Sequence, residues 1–257
     1  MTTIPIENKK VLSILIHGAA KSGKSTLTST VPLPAIVLDA EGSWNFIDEV
    51  GFRSGTPLRK IYWNPLTEEL PEYDGTWDVC HVTVASWQVM TTCFQALTQY
   101  SHSFRSIVID SITEVQRRCK KNIRGGSQQM QTQQWGQLLD QMDDIIRGFR
   151  DLTLLENTIT CVAYVAESFV DKKGRDAPYM QGQIGNTMPY WVAICGQLEV
   201  EHQLGLDGES TQKIRILTIG PDPTKVTGER VAGRLPDIIE HPNIADMMAA
   251  IYPNRED

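Results

Sequence analysis

Val11-Leu-Ser-Ile-Leu-Ile16 leads into Gly18-Ala19-Ala20-Lys21-Ser22-Gly23-Lys24-Ser25 and then Thr26-Leu27-Thr28. The apolar run reads as a buried strand and the last three residues as a first helical turn. The octet between them fits G-x-x-x-x-G-K-[ST], the phosphate-cradling P-loop. Glycines let the backbone wrap an anion without a Cβ clash. Loop amides and the helix N-terminus then attract it. In such a loop, spanning Gly18 to Thr26, Lys24 reaches the β- and γ-phosphates and Ser25 ligates Mg²⁺. Strand, loop and helix in this order place the chain among the α/β nucleotide-binding folds.

Working outward, 257 residues suit one α/β domain, read as 1–257 with 1–10 as an N-terminal arm. A hydrophobic fraction of 41% suffices for a full core. No apolar stretch has the length of a membrane span, and Met1 to Lys10 lacks an apolar signal core. Both point to the cytoplasm and away from a membrane. Cys80, Cys93, Cys119, Cys161 and Cys195 show neither C-x-x-C nor Cys/His spacing, so they read as reduced, buried thiols with no zinc site. The net charge of −7 argues against a protein coated in positive charge for nucleic acid. It leaves room for a local basic strip.

Strand-like and helix-like segments alternate, which predicts an α/β fold: a mainly parallel sheet with helices on both faces. Strands are expected at 34–39, near 58–63 and 79–83, at 106–110 and at 158–165. An antiparallel pair at 198–203 and 213–219 closes the sheet. Ser86 reads as the cap of a helix carrying Val89, Met90, Cys93, Phe94, Leu97 and Tyr100. Another helix starts at Ile112. The clearest starts at Trp135, because Leu138, Leu139, Met142, Ile145, Ile146, Phe149 and Leu152 step by three and four. A Gly- and Gln-rich loop at 124–134 precedes it. Residues 167–183 read as a long loop or hairpin, and 244–252 as a C-terminal helix.

Two acids end strands. Asp110 closes Ile107-Val-Ile, as a Walker B position requires; its carboxylate would organise Mg²⁺ beside Ser25. The competing reading is a cap for the helix after Ser111. Glu41, in Asp39-Ala-Glu41, stands where strand C-termini converge on a ligand crevice. It could orient the water that attacks a γ-phosphate, or be an exposed turn acid.

Two basic clusters could meet nucleic acid. Arg117, Arg118, Lys120, Lys121 and Arg124 put five cations in eight residues, ahead of the Gly/Gln loop and Trp135. Cations neutralise phosphates and aromatics stack on bases. A solvated helix face explains the cations too, and Trp135 is better read as the first buried core residue of its helix. Lys172, Lys173 and Arg175, between Phe169 and Tyr179, fit DNA contact or a plain charged hairpin equally well.

The P-loop near the N-terminus, Asp39-Ala-Glu41 and Ile-Asp110-Ser111 together resemble the core of RecA-type recombinases. Ile184-Gly185-Asn186 followed by Leu198-Glu-Val is similar to their Gly-Asn helix and next strand. Asp-Ser-Ile-Thr-Glu at 110–114, Gly-Arg-Leu-Pro at 233–236 and Pro-Asn-Ile-Ala-Asp at 242–246 resemble phage-encoded RecA-like ATPases of the Sak single-strand-annealing group. The resemblance spans about Val11 to Tyr252 and implies a RecA-like P-loop NTPase core with an antiparallel C-terminal extension. It implies ATP and Mg²⁺ as cofactors, Glu41 as catalytic base, and 117–134 and 168–183 as the two DNA-binding loops. Lys225 and Arg230 fall where such assemblies send a cation to the γ-phosphate of the neighbouring subunit. The family's polar γ-phosphate sensor falls on Glu167. A carboxylate there repels the phosphate unless a metal or Lys intervenes, which argues against a sensor and for a structural Glu167. The N-terminal element with which RecA packs on its neighbour is expected to be missing or reduced.

The leading expectation is a Mg²⁺-dependent ATPase that binds single-stranded DNA as a homo-oligomer, ring or filament, and promotes annealing or strand exchange. A partner single-strand-binding protein stays open. One alternative is a small-molecule P-loop kinase, although there is no second Arg-rich lid and Asp-Ala-Glu suits water activation better. Another is an assembly protein in which ATP joins subunits with little turnover.

Overall fold

A computed structural model describes residues 9–52, 55–204 and 211–253. Most of the expected N-terminal arm, residues 1–8, lies outside these. The elements run β1 (Leu12–Gly18), α1 (Lys24–Thr28), β2 (Ala35–Asp39), β3 (Lys60–Tyr62), β4 (Val79–Thr83), α2 (Trp87–Gln99), β5 (Ser106–Asp110), α3 (Ile112–Arg124), α4 (Thr132–Asp151), β6 (Cys161–Val170), β7 (Asp176–Pro178), α5 (Ile184–Thr187), β8 (Ile194–Leu204), β9 (Thr211–Thr218), β10 (Gly228–Glu229), β11 (Ile238–Glu240) and α6 (Ile244–Ile251).

The sheet has the order β11-β9-β8-β1-β6-β5-β2-β4-β3, with β10 on β8 and β7 on β6. Pairs from β8 through β1, β6, β5, β2 and β4 to β3 are parallel. Those of β8 with β9, and β9 with β11, are antiparallel. The expected mainly parallel sheet with an antiparallel C-terminal extension is therefore what the chain forms. β10 and β11, two and three residues long, are too short to carry a periodic signal.

Alternation along the central strands divides the core. Leu15, Leu38, Ile109 and Tyr164 face α2, α3 and α4. Ile14, Val37, Val108 and Ala163 face the other side, against Leu27 of α1 and Met247 of α6. Strands buried on both faces read as continuous apolar runs, which is why β1, β5 and β6 are so visible in the sequence. Among the described residues no helix is long and apolar enough to cross a membrane. All five cysteines are buried and free.

Parallel register brings the strand C-termini to one edge. Gly18 sits beside Glu167, and Asp39 beside Asp110. β6 lies between the P-loop strand and the Asp110 strand, so the two are not neighbours.

Candidate active site

At this edge Gly18 opens the P-loop, where any Cβ would collide with the Leu198 carbonyl oxygen. Gly23 has φ +101°, and a Cβ there would meet Phe52 and Arg215 at 2.7 and 2.9 Å. No side chain caps α1, so its first-turn amides have no partner in the helix. α1 is only five residues long. Its macrodipole is correspondingly small, and attraction for an anion rests on these amides and Lys24 rather than on a long helix. The Lys24 ammonium donates to the carbonyls of Gly18 and Ala19 at 3.0 and 2.8 Å. Burial lowers its pKa, opposed by Asp110, Glu41 and Glu167. Ser22 Oγ is buried with no partner among the described residues. An unpartnered hydroxyl, free amides and an ammonium satisfied by its own loop suit a polyphosphate.

Asp110 is fully buried, and that burial pushes its pKa up to about 6. Glu41 and Asp39 add to the rise, while hydrogen bonds with Ser25 and Ser43 oppose it. Its Oδ2 accepts from Ser43 Oγ at 3.0 Å and from the Trp44 indole at 3.1 Å. Ser25 Oγ donates to Ser43 Oγ at 3.1 Å. A buried carboxylate and a hydroxyl of this kind suit Mg²⁺, which takes one or two carboxylates plus substrate phosphates. The cap at α3 is made by Ser111, whose Oγ accepts from Glu114 N, which leaves the Asp110 carboxylate to Ser43 and Trp44.

Asp39 is structural. Its Oδ1 accepts from the amides of Glu41 and Gly42, and its Oδ2 from Trp44 N and His81 Nε2. Burial opposes ionisation, but the bonds from His81, Gly42 and Trp44 outweigh it and hold the pKa low. This fold of the chain carries Glu41 to Ser111, whose hydroxyl donates to Glu41 Oε1. Ser43, Trp44 and His81 were not singled out from sequence. Asp39 with Gly42 is an Asx-type turn signal that could have marked the loop.

The expected DNA cations divide into two sets. Arg117 pairs with Glu114 at 2.9 Å and Glu167 at 3.0 Å. Arg118 pairs with Glu114 at 3.2 Å. Lys120 donates to Gln181 Oε1 at 2.9 Å and lies 4.7 Å from the Trp135 ring centroid. Lys121 is exposed, and Arg124 donates to the Gln128 carbonyl. Trp135 is 41% exposed, not buried. Its helical angle is right, but α4 begins at Thr132, and in that first turn Trp135 meets Lys120 rather than an apolar partner.

Within 167–183, β6 and β7 pair as a hairpin over 168–178. Arg175 is held in its turn by Asp171 at 2.9 Å, leaving Lys172 and Lys173 exposed. Lys225 is paired with Glu199, and Arg230 donates to the Tyr190 carbonyl. Hairpin, α5 and the 221–230 segment line a cleft of about 980 Å³. His17, one residue before the P-loop, joins these parts. Its Nδ1 is 2.7 Å from Ser168 Oγ and its Nε2 3.0 Å from the Val226 carbonyl.

The family described as AAA domain (AAA_24) matches residues 10–231. No curated protein matches the chain. Among solved structures, it is similar to the flagellar accessory protein FlaH of Methanocaldococcus jannaschii, with a TM-score of 0.47 and 12% identity over 91% of this chain and 85% of that one.

Proposed function

We propose, from the premise that this chain belongs to the AAA domain family and is a P-loop ATPase, that ATP turnover controls a grip on single-stranded DNA. The protein would act as a homo-oligomer of RecA type, in the cytoplasm, promoting annealing or strand exchange; the Sak-type sequence resemblance supports that assignment. The observation that carries the reading is α3. It starts at the Asp110-Ser111 end of the catalytic edge and carries the basic strip. It is also tied to the second loop. Thr113 Oγ1 donates to the Tyr179 carbonyl, and Gln116 exchanges two hydrogen bonds with the Gln181 backbone. One helix thus links the nucleotide edge with both candidate DNA elements.

Lys24 and the loop amides would hold the β- and γ-phosphates. Mg²⁺, on Ser25 and Asp110, would supply neutralisation of phosphate charge. Glu41, oriented by Ser111, would take the proton of the water attacking γ-phosphorus as the bond to the β–γ bridging oxygen breaks. Lys121, Lys172 and Lys173 are the cations best placed for DNA phosphates, being exposed. Arg230, at the cleft rim, is the better of the two candidates for a cation given to a neighbouring subunit, because Lys225 is already paired within its own chain.

ATPase rate with and without single-stranded DNA tests this. The expected result is a rate that rises with DNA and vanishes in Lys24→Ala. A wild-type protein that binds no single-stranded DNA at low salt, with or without ATP analogue, would overturn it.

A further inference from the structure

Glu167 poses a problem that the structure answers. It stands beside Gly18 in strand register, and its charge is felt by Lys24 together with those of Asp110 and Glu41. Three carboxylates thus act electrostatically on the lysine that should meet the γ-phosphate. A terminal phosphate entering there would face repulsion from Glu167. The guanidinium of Arg117 lies on that carboxylate in a two-pronged contact, Nη2 to Oε2 at 3.0 Å and Nη1 to Oε1 at 3.4 Å. The same Nη1 reaches Glu114 at 2.9 Å. Arg118, next along α3, holds the other oxygen of Glu114 and the Ala40 carbonyl, one residue from Glu41. Acid and guanidinium therefore alternate across the mouth of the site.

We propose that Arg117 is the cation that reads the γ-phosphate, supplied by the chain's own α3 and held ready by Glu167. This rests on the reading of the site as an ATP site. A guanidinium has five donors in a fixed fork, enough to stay on Glu167 and bond a phosphate oxygen. The pair is about half exposed on both sides, 47% and 40%. An ion pair this wet adds little to folding, so Arg117 is free to redirect a bond at small cost. Arg117 neutralises Glu167 only when both are present, and the benefit is confined to nucleotides with a third phosphate. Arg117 is then a nucleotide-site residue, distinct from the exposed Lys121 further along the same helix.

The test is the ratio of affinities for a non-hydrolysable ATP analogue and ADP, both with Mg²⁺, by titration calorimetry. Arg117→Ala should weaken the analogue at least tenfold and change ADP by less than twofold. Adding Glu167→Gln to that variant should recover part of the loss, because the repelling charge goes with its partner while the bond to the phosphate stays lost. Glu167→Gln alone, which removes the repelling charge and leaves Arg117 in place, should raise the preference for the analogue severalfold. A merely structural pair predicts equal losses for both nucleotides and no recovery, and that result overturns the proposal. So does an unchanged preference in Glu167→Gln, which keeps the test alive if Arg117→Ala folds poorly. Wild-type protein that binds neither nucleotide would instead overturn the ATP reading itself.

Discussion

Asp110→Asn should make the nucleotide-free protein more stable while removing its Mg²⁺ response. Burial without a cation lifts the Asp110 carboxyl from the usual 3.8 to about 6. Ionising it inside the folded chain is therefore uphill by about 3 kcal/mol relative to the unfolded chain. The sign follows from proton counts. Between these two values the native state binds the proton and the unfolded state has lost it, so stability falls as pH rises through the window. The contribution is present below about pH 4 and lost above about pH 6. Asparagine keeps an acceptor for Ser43 and Trp44 and carries no charge. At pH 8 in chelator, Asp110→Asn should gain up to about 3 kcal/mol, or about 6–12 °C in Tm at this chain length. At pH 5 the gap should shrink to about half, and near pH 4 it should close. Comparing variant with wild type at each pH cancels the titrating groups that do not feel Asp110; Glu41, Asp39 and Lys24, which do, stay in the difference. Thermal melts by circular dichroism provide the readout, repeated with ATP analogue and Mg²⁺, where only wild type should gain from the metal. A variant that melts at or below wild type at pH 8 would refute the argument that Asp110 is a charge awaiting a cation.

Glu41→Gln should lower kcat by about 10²- to 10⁴-fold with nucleotide affinity retained; an unchanged kcat in a steady-state assay rules Glu41 out as the base. His17 is buried, and that burial lowers its pKa to about 4. It is neutral in the folded chain, so its contribution is present above pH 6.5 and lost as pH falls through 4, by about 3 kcal/mol. His17→Gln should flatten that acid loss in urea titrations between pH 7 and 4.5; an identical pH profile would show that His17 does not titrate on unfolding. Replacing Lys121, or Lys172 with Lys173, by Ala should weaken single-stranded DNA binding. Each lost phosphate contact should reduce the salt slope by about 0.7, and unaltered slopes in fluorescence anisotropy would move the DNA elsewhere.

The P-loop, Asp110 and Glu41 were legible because each is a local pattern. A buried parallel strand must be apolar along its length, and its C-terminal residue must face the crevice. The hairpin at 168–178 was half legible, since a Lys-Lys-Gly turn announces a reversal but not what it packs against. Trp135 was misread because helical spacing gives an angle and says nothing of what lies opposite. Ser43 and Trp44 escaped notice because their partner, Asp110, is more than sixty residues away.

The sequence alone therefore determined the α/β class, the place of the P-loop motif after β1 and the acid that ends β5, all of which depend on neighbours within a few residues. Only the tertiary structure decided which charges are free to act. Arg117 and Glu167 are 50 residues apart in the chain, and Lys225 and Glu199 are 26 apart, yet both pairs meet. Whether a cation is available depends on distance in space, and the order of strands across the sheet sets that distance. With β6 placed between β1 and β5, Glu167 comes to stand beside Gly18 and within reach of α3.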